Sequence, residues 1–280
     1  VRALALHPDV LVVAGAVLGV NCVIVRGTVA AQAAAATGAA AEPAGAETFV
    51  IDSPVLPDEL DALPALLEQA RFPAPSGLLA THGDWDHLLA RLAFPAAALG
   101  CAEDTAERLR AHPGEAQRAL RDFDEGLLID RPRPLALGSV QGLPVPGRCD
   151  IGDRELELHP APGHTPDGMA ILIGWAGVLV VGDYLSPAEL PSFSDGGDLV
   201  AYRETLERLR GLISRADHVV PGHGPVLDCF RALEILEQDL DYLSQLRERG
   251  SEARLPAGRR GAAQRRAHAE NLGALGLEGS

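Results

Sequence analysis

The chain contains no lysine, since all 24 of its basic residues are arginine. Schiff-base and lysine-nucleophile chemistry are therefore excluded. Positive charge is also outweighed: 39 acidic residues give a formal charge of -15, which argues against nucleic-acid and anionic-membrane partners, because both select basic surfaces. Cysteine is scarce. Cys22, Cys101, Cys149 and Cys229 lie far apart with no C-x-x-C pairing, so reduced thiols and a cytoplasmic setting are expected, without a disulfide framework or zinc knuckle. No G-x-G-x-x-G or Walker A sequence points to a nucleotide, and no G-x-S-x-G elbow offers a serine nucleophile. The longest apolar run, 10–25, is interrupted by Gly15, Gly19 and Asn21 and lacks a basic leader region and a cleavage site. It reads as two buried strands rather than a membrane span or signal.

What is present suffices for a full core. With 280 residues and 47% hydrophobic content, one large domain is expected over residues 1–250, followed by a tail at 251–280. Strands are expected at 10–14, 20–26, 48–52, 77–80, 97–101, 156–159, 169–173, 178–182 and 218–220. Helices are expected at 57–69, where Pro57 and Asp58 suit a first turn, and at 102–111, 198–214 and 227–249. The Ala/Gly-rich tract 27–47 has almost no large side chains, so it is expected to be a mobile loop. The tail carries Arg254, Arg259, Arg260, Arg265 and Arg266 and reads as a solvated surface segment. Strands dominate both halves with helices after them, which favours sheet packed on sheet with helices outside over a doubly wound parallel sheet.

Four of the nine histidines fall where apolar strands run into loops. The stretch Thr81 to His87 carries His82, Asp84, Asp86 and His87, four candidate ligands within six residues. His164 follows Gly163, Asp183 follows the apolar strand at 178–182, and His223 lies between Gly222 and Gly224. Glycine beside a ligand permits a tight turn and close approach. A carboxylate at the end of an apolar strand is costly unless it is paired or bound to a metal.

Together these stretches resemble the metallo-β-lactamase-fold superfamily, whose pattern is an HxHxDH motif, two later histidines and a bridging aspartate. The resemblance runs from about Val10 to Leu227 and implies an α+β fold, a four-layer αββα sandwich with two divalent metal ions at one edge. It implies His82 and His164 as ligands of a first metal, Asp86, His87 and His223 of a second, and Asp183 as the bridge. Here the motif reads HxDxDH, with Asp84 where the family has its second histidine. Asp84 as an oxygen ligand, Asp84 as a group that only orients water, and a weak first site all stay open. Zinc is the first expectation for the metals, with iron and manganese as alternatives, since two histidines and a carboxylate also suit non-haem iron.

The expected activity is hydrolysis of a small ester, thioester or lactone by a metal-bound hydroxide, with Asp86 and Asp84 in catalytic roles. An iron oxygenase of persulfide dioxygenase type, a β-lactamase and a non-catalytic ligand-binding protein are the alternatives. Trp85 and Tyr184 are candidate pocket residues. So is His268, whose segment Ala267 to Asn271 resembles an H-x-E-N element of some hydrolases of the superfamily. Ser186, Glu189 and Phe193 are weaker candidates, and His159 and His218 are possible supports for the ligands. The partner is expected to be a small molecule, and a homodimer stays open.

Overall fold

The computed structural model describes residues 2–28 and 45–277. The chain divides into two compact units, 1–158 and 159–280, each with a hydrophobic core of its own.

In the first unit, β1 (Arg2–His7), β2 (Val10–Ala14), β3 (Asn21–Thr28) and β4 (Ala46–Ile51) form an antiparallel series. β5 (Gly77–Leu79), β6 (Ala98–Ala102) and β7 (Val140–Leu143) then add in parallel to complete seven strands in chain order. The apolar run at 10–25 is thus the β2–β3 hairpin, and no helix among the described residues is long and apolar enough to cross a membrane. Parallel pairing needs crossover connections, and helices supply them. They are α1 (Pro57–Ala70), α2 (Ala90–Ala93), α3 (Glu103–Ala111) and α4 (Glu115–Leu127). Leu60, Leu63 and Leu67 of α1 and Leu120 of α4 are buried with Val50, Leu78 and Leu99 of the strands. Full burial of such a side chain stabilises by about 1.5–3 kcal/mol. β8 (Gly147–Ile151) and β9 (Arg154–Pro160) form a hairpin.

The expected mobile loop at 27–47 falls for its greater part, 29–44, outside the described residues. Its ends are strand, because Gly27 pairs with Glu47 and Thr28 with Ala46. Gly27 is required there, since a Cβ would overlap the Ile151 carbonyl. β1, α4, β7 and β8 lie outside the sequence-based expectation. On α4 only Ala116, Leu120 and Asp124 are buried, so its apolar stripe is too thin to stand out from the charged positions.

In the second unit, β10 (Met169–Ile173) pairs antiparallel with β11 (Val178–Val180). The connection through α5 (Leu199–Ile213) returns the chain to β12 (His218–Val220), parallel to β11. Asp198 starts α5 as read from the sequence, its carboxylate accepting the Ala201 N–H at 2.7 Å. The stretch expected as one helix at 227–249 begins instead with the short strand β13 (Leu227–Asp228), after which Asp228 caps α6 (Cys229–Arg249). Leu206 and Leu209 of α5 are buried with Ile235, Leu236 and Leu243 of α6.

The segment after α6 departs from the expected solvated tail. Residues 262–274 form α7 (Ala262–Ala274). Arg254, Arg260, Arg265 and Arg266 are exposed, whereas Arg259 is 1% exposed and ion-paired with Asp239 of α6 at 2.6 Å. None of the four cysteines is in a disulfide.

Candidate metal-binding clusters

The first cluster hangs from the end of β5. After Leu79 the chain enters an irregular turn, and Trp85–His87 form one turn of 3-10 helix. That turn places His82 and His87 with ring centroids 4.1 Å apart. Asp84 Oδ2 lies 3.7 Å from His82 Nε2, and Asp86 Oδ2 lies 3.9 Å from His87 Nε2. The four side chains named by the motif thus form a run of neighbours, Asp84 beside His82, His82 beside His87 and His87 beside Asp86. His82, Asp86 and His87 are buried, and Asp84 is half-buried.

Neighbouring groups fix these side chains. Asp52, just past β4, takes a left-handed backbone (φ 57°) that turns its carboxylate toward the motif. Its Oδ1 accepts the Thr81 N–H at 2.8 Å, and its Oδ2 accepts the Thr81 hydroxyl at 2.9 Å and lies 3.0 Å from His87 Nδ1. Holding Nδ1 leaves Nε2 as the lone-pair donor of His87. The Thr81 hydroxyl is 3.1 Å from His82 Nδ1 and does the same for that ring. Ser53 donates to the Asp86 carbonyl and accepts the Leu89 N–H, which closes the turn.

Arg108 of α3 meets Asp84, its Nη2 donating to Oδ1 at 3.2 Å. A Cβ at Gly83 would stand 2.7 Å from that same nitrogen, so glycine in the motif makes room for the guanidinium. Trp85 packs on Phe123 (4.6 Å between centroids) and borders a cavity of about 80 Å³ shared with Asp84, Arg108 and His112.

The second cluster centres on Asp183. Its Oδ2 lies 3.2 Å from His164 Nε2 and its Oδ1 3.3 Å from His223 Nε2, so one carboxylate serves two imidazoles. The backbone builds this approach with glycines. Gly222 donates its N–H to the Gly182 carbonyl at 2.6 Å, and a Cβ at Gly222 would overlap Asp183 Oδ1. Gly163 has φ 134° and lies against the Tyr202 backbone, where only glycine fits. His164 Nδ1 is held by the Ser192 carbonyl at 2.9 Å and the Ser192 hydroxyl at 3.2 Å, which turns Nε2 toward Asp183. The Glu189 carboxylate stands 3.8 Å from His223 Nδ1.

Two pocket expectations meet different surroundings. Tyr184 is buried. Its hydroxyl accepts the His164 N–H at 3.0 Å and donates to the Ala161 carbonyl at 3.1 Å, so it braces the His164 loop from within the core. Burial raises its phenol above the ordinary value and keeps that donor in place. His268 Nδ1 is 3.0 Å from the Tyr242 hydroxyl, a contact with α6. Sequence reasoning missed Asp52, Ser192 and Arg108 altogether.

Each cluster brings together imidazole nitrogens and carboxylate oxygens, donor types that bind divalent metal ions. The residues fit such a group: rings locked through one nitrogen, carboxylates at 3.2–3.9 Å from the other, and a glycine that clears Asp183 Oδ1.

Comparison with known proteins agrees with this chemistry. The profile of the Metallo-beta-lactamase superfamily matches residues 48–223. A hydroxyacylglutathione hydrolase of Anaeromyxobacter dehalogenans (strain 2CP-C) is 32% identical over 185 residues, covering 64% of this chain and 58% of that protein. Among solved structures, a metallo-beta-lactamase family protein of Thermus thermophilus has a TM-score of 0.62 at 20% identity, covering 97% of this chain and 95% of its own. The inverting sec-alkylsulfatase of a Pseudomonas species reaches 0.70 at 15% identity, covering 98% of this chain and 49% of its own. The chain thus spans little more than half of the curated relative it matches, and about half of the alkylsulfatase.

Proposed function

This chain belongs to the metallo-beta-lactamase superfamily and has its fold, and from that premise we propose that it is a metal-dependent hydrolase of small esters, thioesters or lactones, a thioester foremost. The observation that carries the proposal is the Asp183 carboxylate, which divides its two oxygens between His164 and His223 as a ligand shared by two metals would. By the family pattern the proposed ligands are His82, Asp84, His164 and Asp183 for one divalent ion, and Asp86, His87, His223 and Asp183 for another, with zinc as the proposed metal. The preference for a thioester rests on the hydroxyacylglutathione hydrolase, whose named substrate is one.

A divalent metal, when bound, lowers the pKa of a water and polarises a carbonyl, so that hydrolysis proceeds near neutral pH. The chain supplies positioning and proton handling. Asp86, on the rigid 3-10 turn, accepts a hydrogen bond from the attacking water and so aims it. Asp52 and Ser192 keep His87 and His164 in the tautomers that present Nε2. The leaving thiolate then takes a proton from solvent.

The test is hydrolysis of S-acylglutathiones, aryl esters and lactones by protein with its metal content measured. Thioester turnover abolished by chelator and restored by zinc is expected. Zinc-loaded protein inactive on all three classes would refute the proposal.

A further inference from the structure

The loop 186–192 lies between Asp183 and α5 and backs two of the proposed ligands. Ser192 holds His164 Nδ1, and Glu189 faces His223 Nδ1. The loop contains no regular structure, so its carbonyls need partners from elsewhere in the unit. The segment that follows α6 provides them. Arg259 Nη1 donates to the Ser186 carbonyl at 3.2 Å and to the Glu189 carbonyl at 2.9 Å. Gln264 Nε2 donates to the Ala188 carbonyl at 2.7 Å, and Asn271 Nδ2 to the Pro191 carbonyl at 2.7 Å. Three side chains thus grip four of seven consecutive backbone carbonyls.

The grip is itself anchored. Arg259 is ion-paired with Asp239 and donates Nη2 to Gln238 at 3.2 Å, both on α6. Asn271 Nδ2 also meets the Tyr242 hydroxyl of α6 at 3.0 Å. Leu190 of the loop and Leu272 of α7 are buried in the same core, with Leu255 and Leu275 packed against it. A guanidinium whose fork reaches two carbonyls, an amide and a carboxylate fixes direction in a way that a lysine ammonium cannot.

We propose that the segment 255–277 is a strap that positions the metal ligands His164 and His223 through the loop 186–192, with Arg259, Gln264 and Asn271 as its positioning residues. The inference rests on the proposed metal centre. It assigns a role to a stretch that lies beyond the part matched by the family profile and that carries no metal ligand.

The experiment compares zinc affinity, by chelator competition, and the visible spectrum of the cobalt-substituted protein across variants of the full chain. Gln264→Ala and Asn271→Ala each remove one grip and leave the Arg259–Asp239 pair intact, so they keep the fold, as circular dichroism will check. Arg259→Lys keeps the charge and removes the fork. About tenfold weaker zinc binding and an altered cobalt spectrum are expected in Arg259→Lys and in the Gln264→Ala/Asn271→Ala double variant. Wild-type affinity and spectrum in folded variants overturn the strap and leave the metal centre standing. A wild-type protein that binds neither metal overturns the metal centre, and the strap with it.

Discussion

Arg108 donates to Asp84 at 3.2 Å, at the one motif position where an aspartate replaces the family's histidine. The carboxylate that departs from the pattern therefore comes with its own counter-charge. Both partners are partly exposed, so the pair adds at most about 1 kcal/mol to stability. Its larger effect is electrostatic, because a guanidinium beside a proposed ligand carboxylate repels an incoming cation. Arg108→Ala is predicted to bind zinc about 3–10-fold more tightly than wild type, with little change in melting temperature. Chelator competition at low salt measures this, and unchanged or weaker binding contradicts it.

Asp52 is the support on which His87 depends most directly. Asp52→Asn preserves size and removes the charge 3.0 Å from His87 Nδ1. A loss of about 10–100-fold in zinc affinity or kcat is expected, as for other partners of metal-binding histidines. Isothermal titration and steady-state kinetics on the same preparation check it.

Gly222→Ala places a methyl group on Asp183 Oδ1. The carboxylate must move, and with it one contact to each of His164 and His223. Zinc content is predicted to fall well below that of wild type in protein that still folds. A variant that retains full metal and activity would show that Asp183 is not the shared ligand.

Asp239 gives a prediction about pH. Burial pushes its carboxyl from the ordinary 3.8 up to about 7, against the lowering pull of Arg259. A folded-state value above the unfolded one means that the folded chain holds the extra proton between about pH 4 and 7. This residue's contribution to stability is therefore full below about pH 4 and declines as pH rises to about 7. Melting temperatures of wild type and Asp239→Asn across that range should shift in favour of the variant with rising pH. A constant difference contradicts the assignment.

The proposed ligands stood out in the sequence because their neighbours are unusual: glycines flank His223, and Asp183 follows an apolar stretch. The same signal was present at Asp52, an acid at the end of Val50–Ile51, but no histidine stands beside it in the sequence. Ser192 acts on His164 partly through its backbone carbonyl, which any residue provides, so its identity carries little information. Arg108 sits in a helix with Arg110 and three acids, and only the fold shows which arginine faces Asp84. Arg259 looks like its four exposed neighbours, yet Asp239 stood among Ile235, Leu236, Tyr242 and Leu243 at helical spacing. A buried acid on that stripe asks for a buried cation. α5 and most of α6 were readable from the sequence, whereas α7 lacks an apolar stripe, and among its residues only Asn271 and Leu272 are buried.

Whether the His and Asp clusters hold metal for hydrolysis is decided by elemental analysis beside S-acylglutathione turnover, for wild type and Asp183→Asn. Close to two zinc ions per wild-type chain with thioester hydrolysis are expected, and loss of both metal and activity in the folded variant. A wild-type chain free of bound metal that hydrolyses the thioester equally well would contradict this.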